Sequence, residues 1–136
     1  MPPARNDGTL RDEQFLLRVL RPEWVKLEGG RERPTSDCFT DSNQENSCFI
    51  EDEITVGEIG HLFPGRKLAR IPVAAVRAEG YFIERKPDPE DVPPGCTNPH
   101  AHVIAGPPEM LPRKEYQRRS RRIVTHHNVT VLPPPY

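Results

Sequence analysis

Apolar residues along this chain form short clusters, and the spacing within the clusters predicts strands more often than helices. The run at 14–20 ends at Arg21-Pro22. Because the residue before a proline avoids the helical conformation, we predict a buried strand there, with a short helix starting at Thr9 as the alternative. Three more segments predict strands: "YFIERK" at 81–86, "HAHVIAG" at 100–106, and an edge strand at 129–132.

The segments between these strands give weaker signals. Residues 22–34 predict an irregular link that turns at Gly29-Gly30, with Trp24 and Val25 folding back onto the core. Residues 38–39 and 48–50 predict two short strands around a polar loop, or a strand and a hairpin arm. The stretch "EITVGEIGHLF" at 53–63 fits a strand or a loop.

Two segments predict helices. Residues 71–80 place Pro72 in a first turn and Gly80 just past the end, which is the asymmetry that helices prefer. The basic segment from about 112 to 123 has a thin apolar stripe, to which Tyr116 and Ile123 contribute. A helix of this kind is expected to pack weakly, or against something outside the chain.

Taken together, the pattern predicts a small single α+β domain. We expect a short mixed or antiparallel sheet with one or two helices and long proline-rich loops, since the chain has 17 prolines in 136 residues. The predicted domain spans 13–132, between flexible tails at 1–12 and 133–136.

Charge is balanced overall at −1 but is divided along the sequence. Residues 37–58 hold seven acidic residues and no basic one, whereas 113–122 hold six basic residues and one acidic. The two segments could each serve a partner, or could face one another in the fold. No apolar run approaches membrane-spanning length and no export signal is visible, so we expect a cytoplasmic protein with reduced thiols at Cys38, Cys48 and Cys96.

The strongest candidate site is the pair His100 and His102. Residues i and i+2 of a strand lie on one face, so both imidazoles could meet one ligand. Cys96 could join them as a zinc ligand, although no regular ligand spacing completes such a site. The alternative is that both histidines bond to neighbouring strands or flank a polar face. No cofactor is expected.

A second candidate site lies at the start of the acidic segment. Arginine forks followed by hydroxyl groups are suited to phosphate or carboxylate, and a downstream acid such as Glu51 or Glu53 could orient a sugar hydroxyl. The alternative is a surface loop in which Arg33 pairs with Asp37 or Asp41. The candidate ligand-binding residues are Arg31, Arg33, Thr35 and Ser36.

"RPTSDCF…NSCFIEDE" followed by "HAHVIAG" resembles a group of small uncharacterised bacterial proteins with an Arg-Pro-Ser-Ser-x-x-Phe pattern and a later His-Ala-His-Val strand. The chain departs from that pattern at Thr35 and at Cys48-Phe49. The order Arg31, Phe39, Ser47, Glu51 is also similar to RES-type toxins, which implies an ADP-ribosyltransferase fold and NAD processing. That family has tyrosine where this chain has Phe39, and "GGRERP" meets half of its signature.

These observations predict a small bacterial accessory or interaction protein, a component of a multi-protein system such as a defence or toxin–antitoxin system. A protein partner would bind the basic segment, through Arg113, Lys114, Arg118, Arg119, Arg121 and Arg122. Nucleic-acid binding by the same segment is one alternative. The other is an NAD-processing enzyme with Arg31 or Arg33 on the pyrophosphate, Ser47 beside the ribose, and His100 and His102 in the cleft with Glu51.

Overall fold

In the part of the chain that the structure describes, the apolar clusters assemble into one antiparallel sheet of six strands, with a separate two-stranded hairpin and three α-helices. The computed structural model describes residues 10–40, 45–85, 100–104 and 111–134, and for 45, 85 and 100–104 it describes the backbone alone. The strands are β1 (Phe15–Val19), β2 (Val25–Glu28), β3 (Arg31–Pro34), β4 (Glu45–Ile50), β5 (Leu68–Pro72), β6 (Phe82–Arg85), β7 (His100–Ile104) and β8 (Thr130–Leu132). The helices are α1 (Val56–Leu62), α2 (Val73–Ala78) and α3 (Arg113–Val124).

Strand order in the large sheet is β6-β7-β4-β1-β5-β8, and every neighbouring pair is antiparallel. The predicted α+β class and single small domain are confirmed. The predicted edge strand at the end of the chain is also confirmed as β8. The core includes Leu10, which is 2% exposed and lies before the residue at which we placed the start of the domain.

The central strand β1 is buried on both faces because its apolar residues alternate between two clusters. Leu16 and Leu20 join the larger cluster, and Leu17 joins the smaller one with Phe49 and Ile59. The alternative helix over this segment is wrong, because all five residues of β1 pair in register with β5.

Residues 25–34 form a regular hairpin, so the predicted irregular link is wrong. Its turn lies at Gly29 and Gly30, as predicted, and their φ angles of +59° and +79° suit a tight turn between right-twisted strands. Trp24 and Val25 pack against the core, as predicted. The strand predicted at Cys38–Phe39 is a short 3-10 helix, Ser36–Phe39, in which the Cys38 amide donates back to the Thr35 carbonyl.

Residues 56–62 form a helix where the sequence indicated a strand or a loop. Thr55 and Glu58 cap each other: the Glu58 amide donates to the Thr55 hydroxyl, and the Glu58 carboxylate accepts from the Thr55 amide. Ile59 then packs onto the smaller cluster. The predicted helix near 71–80 is confirmed as α2, with Pro72 at its N-cap and Gly80 at φ +78° beyond its end.

The expectation that the basic helix packs weakly is wrong. Its inner face buries Tyr116, Ser120, Ile123 and Val124. Polar groups on this face extend the thin apolar stripe: the Asn46 amide donates to the Tyr116 hydroxyl over 2.8 Å, and the Ser120 hydroxyl donates to the Phe39 carbonyl over 2.7 Å. The Tyr81 hydroxyl lies 2.9 Å from Ser120 Oγ and donates to the Tyr116 carbonyl over 3.1 Å.

This network gives a prediction for Tyr81→Phe. Burial raises the pKa of Tyr81, so its neutral form stabilises the fold below about pH 10, and that contribution is lost as pH rises through the folded-state pKa. At pH 7 the variant should be less stable by about 1–2 kcal/mol, because it loses the buried hydrogen bonds. The difference should shrink above about pH 10, since phenylalanine cannot ionise. Urea unfolding of both proteins between pH 7 and 11 measures it, and a difference independent of pH would contradict the assignment.

Candidate functional site

The strand β7 places His102 between two polar residues of the neighbouring strands. His102 pairs with Ser47 of β4 on one side and with Glu84 of β6 on the other. Directly opposed residues of an antiparallel ladder lie on the same face of the sheet. Ser47, His102 and Glu84 therefore form a row across three strands, which we call the Ser47 row. His100 pairs with Phe49 on this face. The side chains of both histidines lie outside the described part of the chain.

The two described side chains of the row are both half-buried. One carboxylate oxygen of Glu84, Oε2, is inaccessible to solvent. The Ser47 carbonyl accepts a hydrogen bond from Arg18 Nη1 over 2.6 Å, which directs that carbonyl towards β1 and away from β7.

A serine hydroxyl, an imidazole and a carboxylate in this order are the groups of nucleophilic catalysis, in which the carboxylate orients the base that activates the hydroxyl. Sequence reasoning chose Ser47 and His102 but missed Glu84. In the alternating pattern of "YFIERK", Glu84 lies on the other face of the strand from Tyr81 and Ile83. Only the strand order β6-β7-β4 shows that this face also holds His102.

Glu51, the predicted acid of the catalytic set, is engaged elsewhere. Its two carboxylate oxygens accept from Arg70, at 2.5 Å from Nε and 2.9 Å from Nη2. This hydrogen bonding raises the pKa of the Arg70 guanidinium, which also lies 3.5 Å from the centre of the Phe15 ring. The structure therefore shows Glu51 as half of a bidentate ion pair.

The zinc hypothesis stays a prediction. Cys96 lies outside the described residues. Among the side chains that are described, no group of three histidine, cysteine or acidic residues is arranged to hold a metal ion.

The predicted anion-binding arginines lie away from the Ser47 row. Arg31 and Arg33 are on β3, which packs against β8, and β8 is three strands from β4, or about 14 Å at the usual strand spacing. Thr35 follows, and its buried hydroxyl has no hydrogen-bond partner in the described structure. Ser36 begins the 3-10 helix. The structure thus places Arg31 and Arg33 at the opposite side of β1 and β5 from Ser47, and the NAD-processing hypothesis stays a prediction.

The outer face of α3 carries most of the predicted interaction residues, and we call it the α3 basic face. Arg118 and Arg119 pair with Glu115, while Arg122 pairs with Glu79. Arg119 is half-buried and also donates to the Glu79 carbonyl over 2.9 Å. The exposed members of the face are Arg113, Lys114, Arg118, Arg121 and Arg122.

Three of these cations are not neutralised by the described part of the fold. No described acidic side chain pairs with Arg113, Lys114 or Arg121. In the acidic segment, Glu51 pairs with Arg70 and Asp52 accepts from Gln14. Where they are described, the acidic and basic segments thus form no ion pair with one another.

No family model, curated protein or solved structure matches the chain. The two family resemblances of the sequence therefore stay predictions. Within the described ranges, none of the helices has the length and apolar character needed to cross a bilayer.

Proposed function

We propose that this protein is an interaction module that uses the α3 basic face to bind an acidic surface of a partner protein within a multi-protein system. The observation that carries the proposal is the contrast between the two sides of α3. The inner side is held in the core by Tyr116, Ser120 and Ile123, whereas the outer side presents exposed cations with no described counter-ion.

Charge complementarity supports an acidic partner. Residues 113–122 hold six basic residues and one acidic in a chain whose net charge is −1, so positive charge is concentrated on one rigid helix. Complementary charge of this kind accelerates association and selects among partners. Because the helix is anchored by buried contacts, little order has to be gained on binding.

The features of α3 favour a protein over a nucleic acid. The only aromatic residue of α3, Tyr116, is buried in the core, so the exposed surface of the helix offers no ring on which a base could stack. Glu115 and Glu79 lie among the arginines and pair with three of them, which weakens the field that a phosphate backbone would meet.

The test compares two triple variants with the same change of charge. Arg113→Glu/Lys114→Glu/Arg121→Glu reverses the three cations that have no described counter-ion, and Arg11→Glu/Lys26→Glu/Arg31→Glu is the matched control on other exposed residues. Each tagged protein is purified from the native host at moderate salt. The co-purifying protein is then identified, produced alone, and titrated against all three proteins.

We expect the wild type and the control to bind the purified partner, and the α3 variant to bind at least tenfold more weakly, because like charges then face each other. Equal binding by the two variants would overturn the proposal. So would recovery of nuclease-sensitive nucleic acid in place of a protein, or of this chain alone as a larger assembly.

The register of the Ser47 row favours a second candidate function, which is nucleophilic catalysis by Ser47 with His102 as its base. A fluorophosphonate tests for an activated Ser47. In this reaction the serine Oγ bonds to phosphorus, fluoride leaves, and the hydroxyl proton passes to His102. We expect mass spectrometry to find one adduct on Ser47, and Glu84→Gln to slow its formation at least tenfold. Ser36, which is also half-buried, is the internal control. Equal labelling of Ser36 and Ser47, or no labelling, would exclude this function.

A further inference from the structure

A pocket of about 160 Å³ opens where β1 ends, on the side of the molecule that holds the hairpin. It lies between the turn that follows β1 and the loop that precedes β5. The residues that line it are Leu20, Arg21, Pro22, Val25, Gly65, Arg66 and Lys67. None of them belongs to the Ser47 row or to the α3 basic face.

The walls of this pocket are fixed by the core and by backbone contacts. Leu20 is 1% exposed, and its amide donates to the Lys67 carbonyl over 2.9 Å, which ties the end of β1 to the opposite wall. Val25 packs against the main core cluster. Gly65 turns the loop at φ +77°, a conformation that other residues rarely adopt. The pocket is therefore largely formed without a ligand.

The lining of the pocket is mostly apolar, and three of the residues that line it are cationic: Arg21, Arg66 and Lys67. Lys67 is paired with Glu32. Neither Arg21 nor Arg66 forms an ion pair with any described residue, although the Arg21 guanidinium lies 5.1 Å from the centre of the Trp24 ring. Two arginines with no described counter-ion thus line one pocket, and guanidinium groups are what proteins commonly use to hold a carboxylate or a phosphate.

The size and the lining of the pocket favour a small carboxylate over inorganic phosphate and over larger ligands. An apolar cavity of about 150 Å³ holds one benzene molecule, so this pocket has room for a single ring or a short branched chain. Inorganic phosphate would leave the apolar wall of Leu20, Pro22 and Val25 without contacts. A nucleotide or a drug-sized ligand needs about 300 Å³ or more.

We infer that this pocket binds a small monocarboxylic acid with an apolar body, the carboxylate held by Arg21 and Arg66 and the body against Leu20 and Val25. The inference does not depend on the proposed function.

The first experiment is an NMR titration of the ¹⁵N-labelled protein with three probes. Benzoate has both the charge and the ring, benzamide has the ring without the charge, and inorganic phosphate has charge without a ring. We expect benzoate to shift the amides of Leu20, Val25 and Gly65 with a dissociation constant on the order of 1 mM at low salt. Benzamide and phosphate should bind at least tenfold more weakly. Equal binding of benzoate and either other probe, or shifts elsewhere in the protein, would overturn the inference.

The second experiment uses Arg21→Gln/Arg66→Gln, which removes both charges and keeps polar side chains of similar reach. Benzoate binding should weaken at least tenfold. Arg113→Gln/Arg121→Gln on the α3 basic face is the matched control and should bind benzoate as the wild type does. The amide spectra of both variants also report whether they remain folded. Unchanged benzoate affinity in a folded pocket variant would overturn the inference.

Discussion

Replacing Arg18 with methionine is expected to lower the free energy of unfolding by about 3 kcal/mol. Arg18 lies on the central strand and is only 7% exposed. Its guanidinium donates to the Cys38 carbonyl over 2.9 Å and to the Ser47 carbonyl over 2.6 Å, and it lies 5.2 Å from the centre of the Trp24 ring. Methionine fills a similar volume but leaves the buried Cys38 carbonyl and the part-buried Ser47 carbonyl without these donors, at a cost of about 1–3 kcal/mol each.

The same contacts explain why Arg18 is tolerated inside the core. β1 and β4 pair only at Leu16–Ile50 and Leu17–Phe49, whereas β1 and β5 pair along the whole strand. Beyond Leu17 the two strands no longer pair, and the Arg18 guanidinium instead donates to the Ser47 carbonyl of β4. It also joins the sheet to the 3-10 helix through Cys38. Arg18 thus connects β1 to Ser47 and to the 3-10 helix Ser36–Phe39, which contacts α3.

Urea unfolding measures the effect of this substitution, and two further variants define its cause. Arg18→Lys keeps the charge but lacks the planar fork that reaches two carbonyls, so it should recover less than half of the loss. Arg11→Met, at an exposed arginine, should change stability by less than about 0.5 kcal/mol. A stable Arg18→Met protein would mean that the burial of the guanidinium costs as much as its contacts contribute.

Local signals in the sequence were sufficient to predict the elements whose ends are marked by proline or glycine. The strand before Pro22 and the helix between Pro72 and Gly80 are found where the sequence places them. The helix at 56–62 was missed, although Thr55-x-x-Glu58 is a capping box. Gly57 and Gly60 lower helix propensity, and the segment is too short for a 3.6-residue period to be clear.

The candidate sites depend on contacts between distant parts of the chain. The sequence could therefore indicate single residues of a site, but not which residues the fold brings together. Ser47 and His102 could be selected by residue type alone. Glu84 joins them only because β7 lies between β4 and β6, and strand order is not encoded in local periodicity. The pocket at the end of β1 likewise combines residues 20–25 with residues 65–67, which are joined by a backbone hydrogen bond from Leu20 to Lys67.

Helix α3 shows how a thin apolar stripe can still belong to the core. Ser120 is polar, yet its side chain is fully buried because the Phe39 carbonyl and the Tyr81 hydroxyl satisfy its oxygen. Buried polar groups cost little when they are hydrogen-bonded, so the stripe is effectively wider than its apolar residues indicate.

Ile123→Ala is accordingly expected to destabilise the protein by about 3 kcal/mol, the usual cost of removing a large aliphatic side chain from a well-packed core. Ile123 is fully buried in the main cluster, on the same face of α3 as Tyr116. A helix attached loosely to the surface would lose less than about 1 kcal/mol on the same change, because its neighbours could relax into the space. Equilibrium unfolding in urea distinguishes the two cases.

Arg121→Ala on the exposed side of the same helix is the control, and should change stability by less than about 0.5 kcal/mol. The two substitutions should also separate stability from binding. Ile123→Ala, while still folded at low temperature, should retain partner affinity, since the outer cations are intact, whereas Arg121→Ala should weaken partner binding with little change in unfolding. If Ile123→Ala proved as stable as Arg121→Ala, α3 would be a loosely docked element, and the rigid basic surface on which the proposed function depends would not exist.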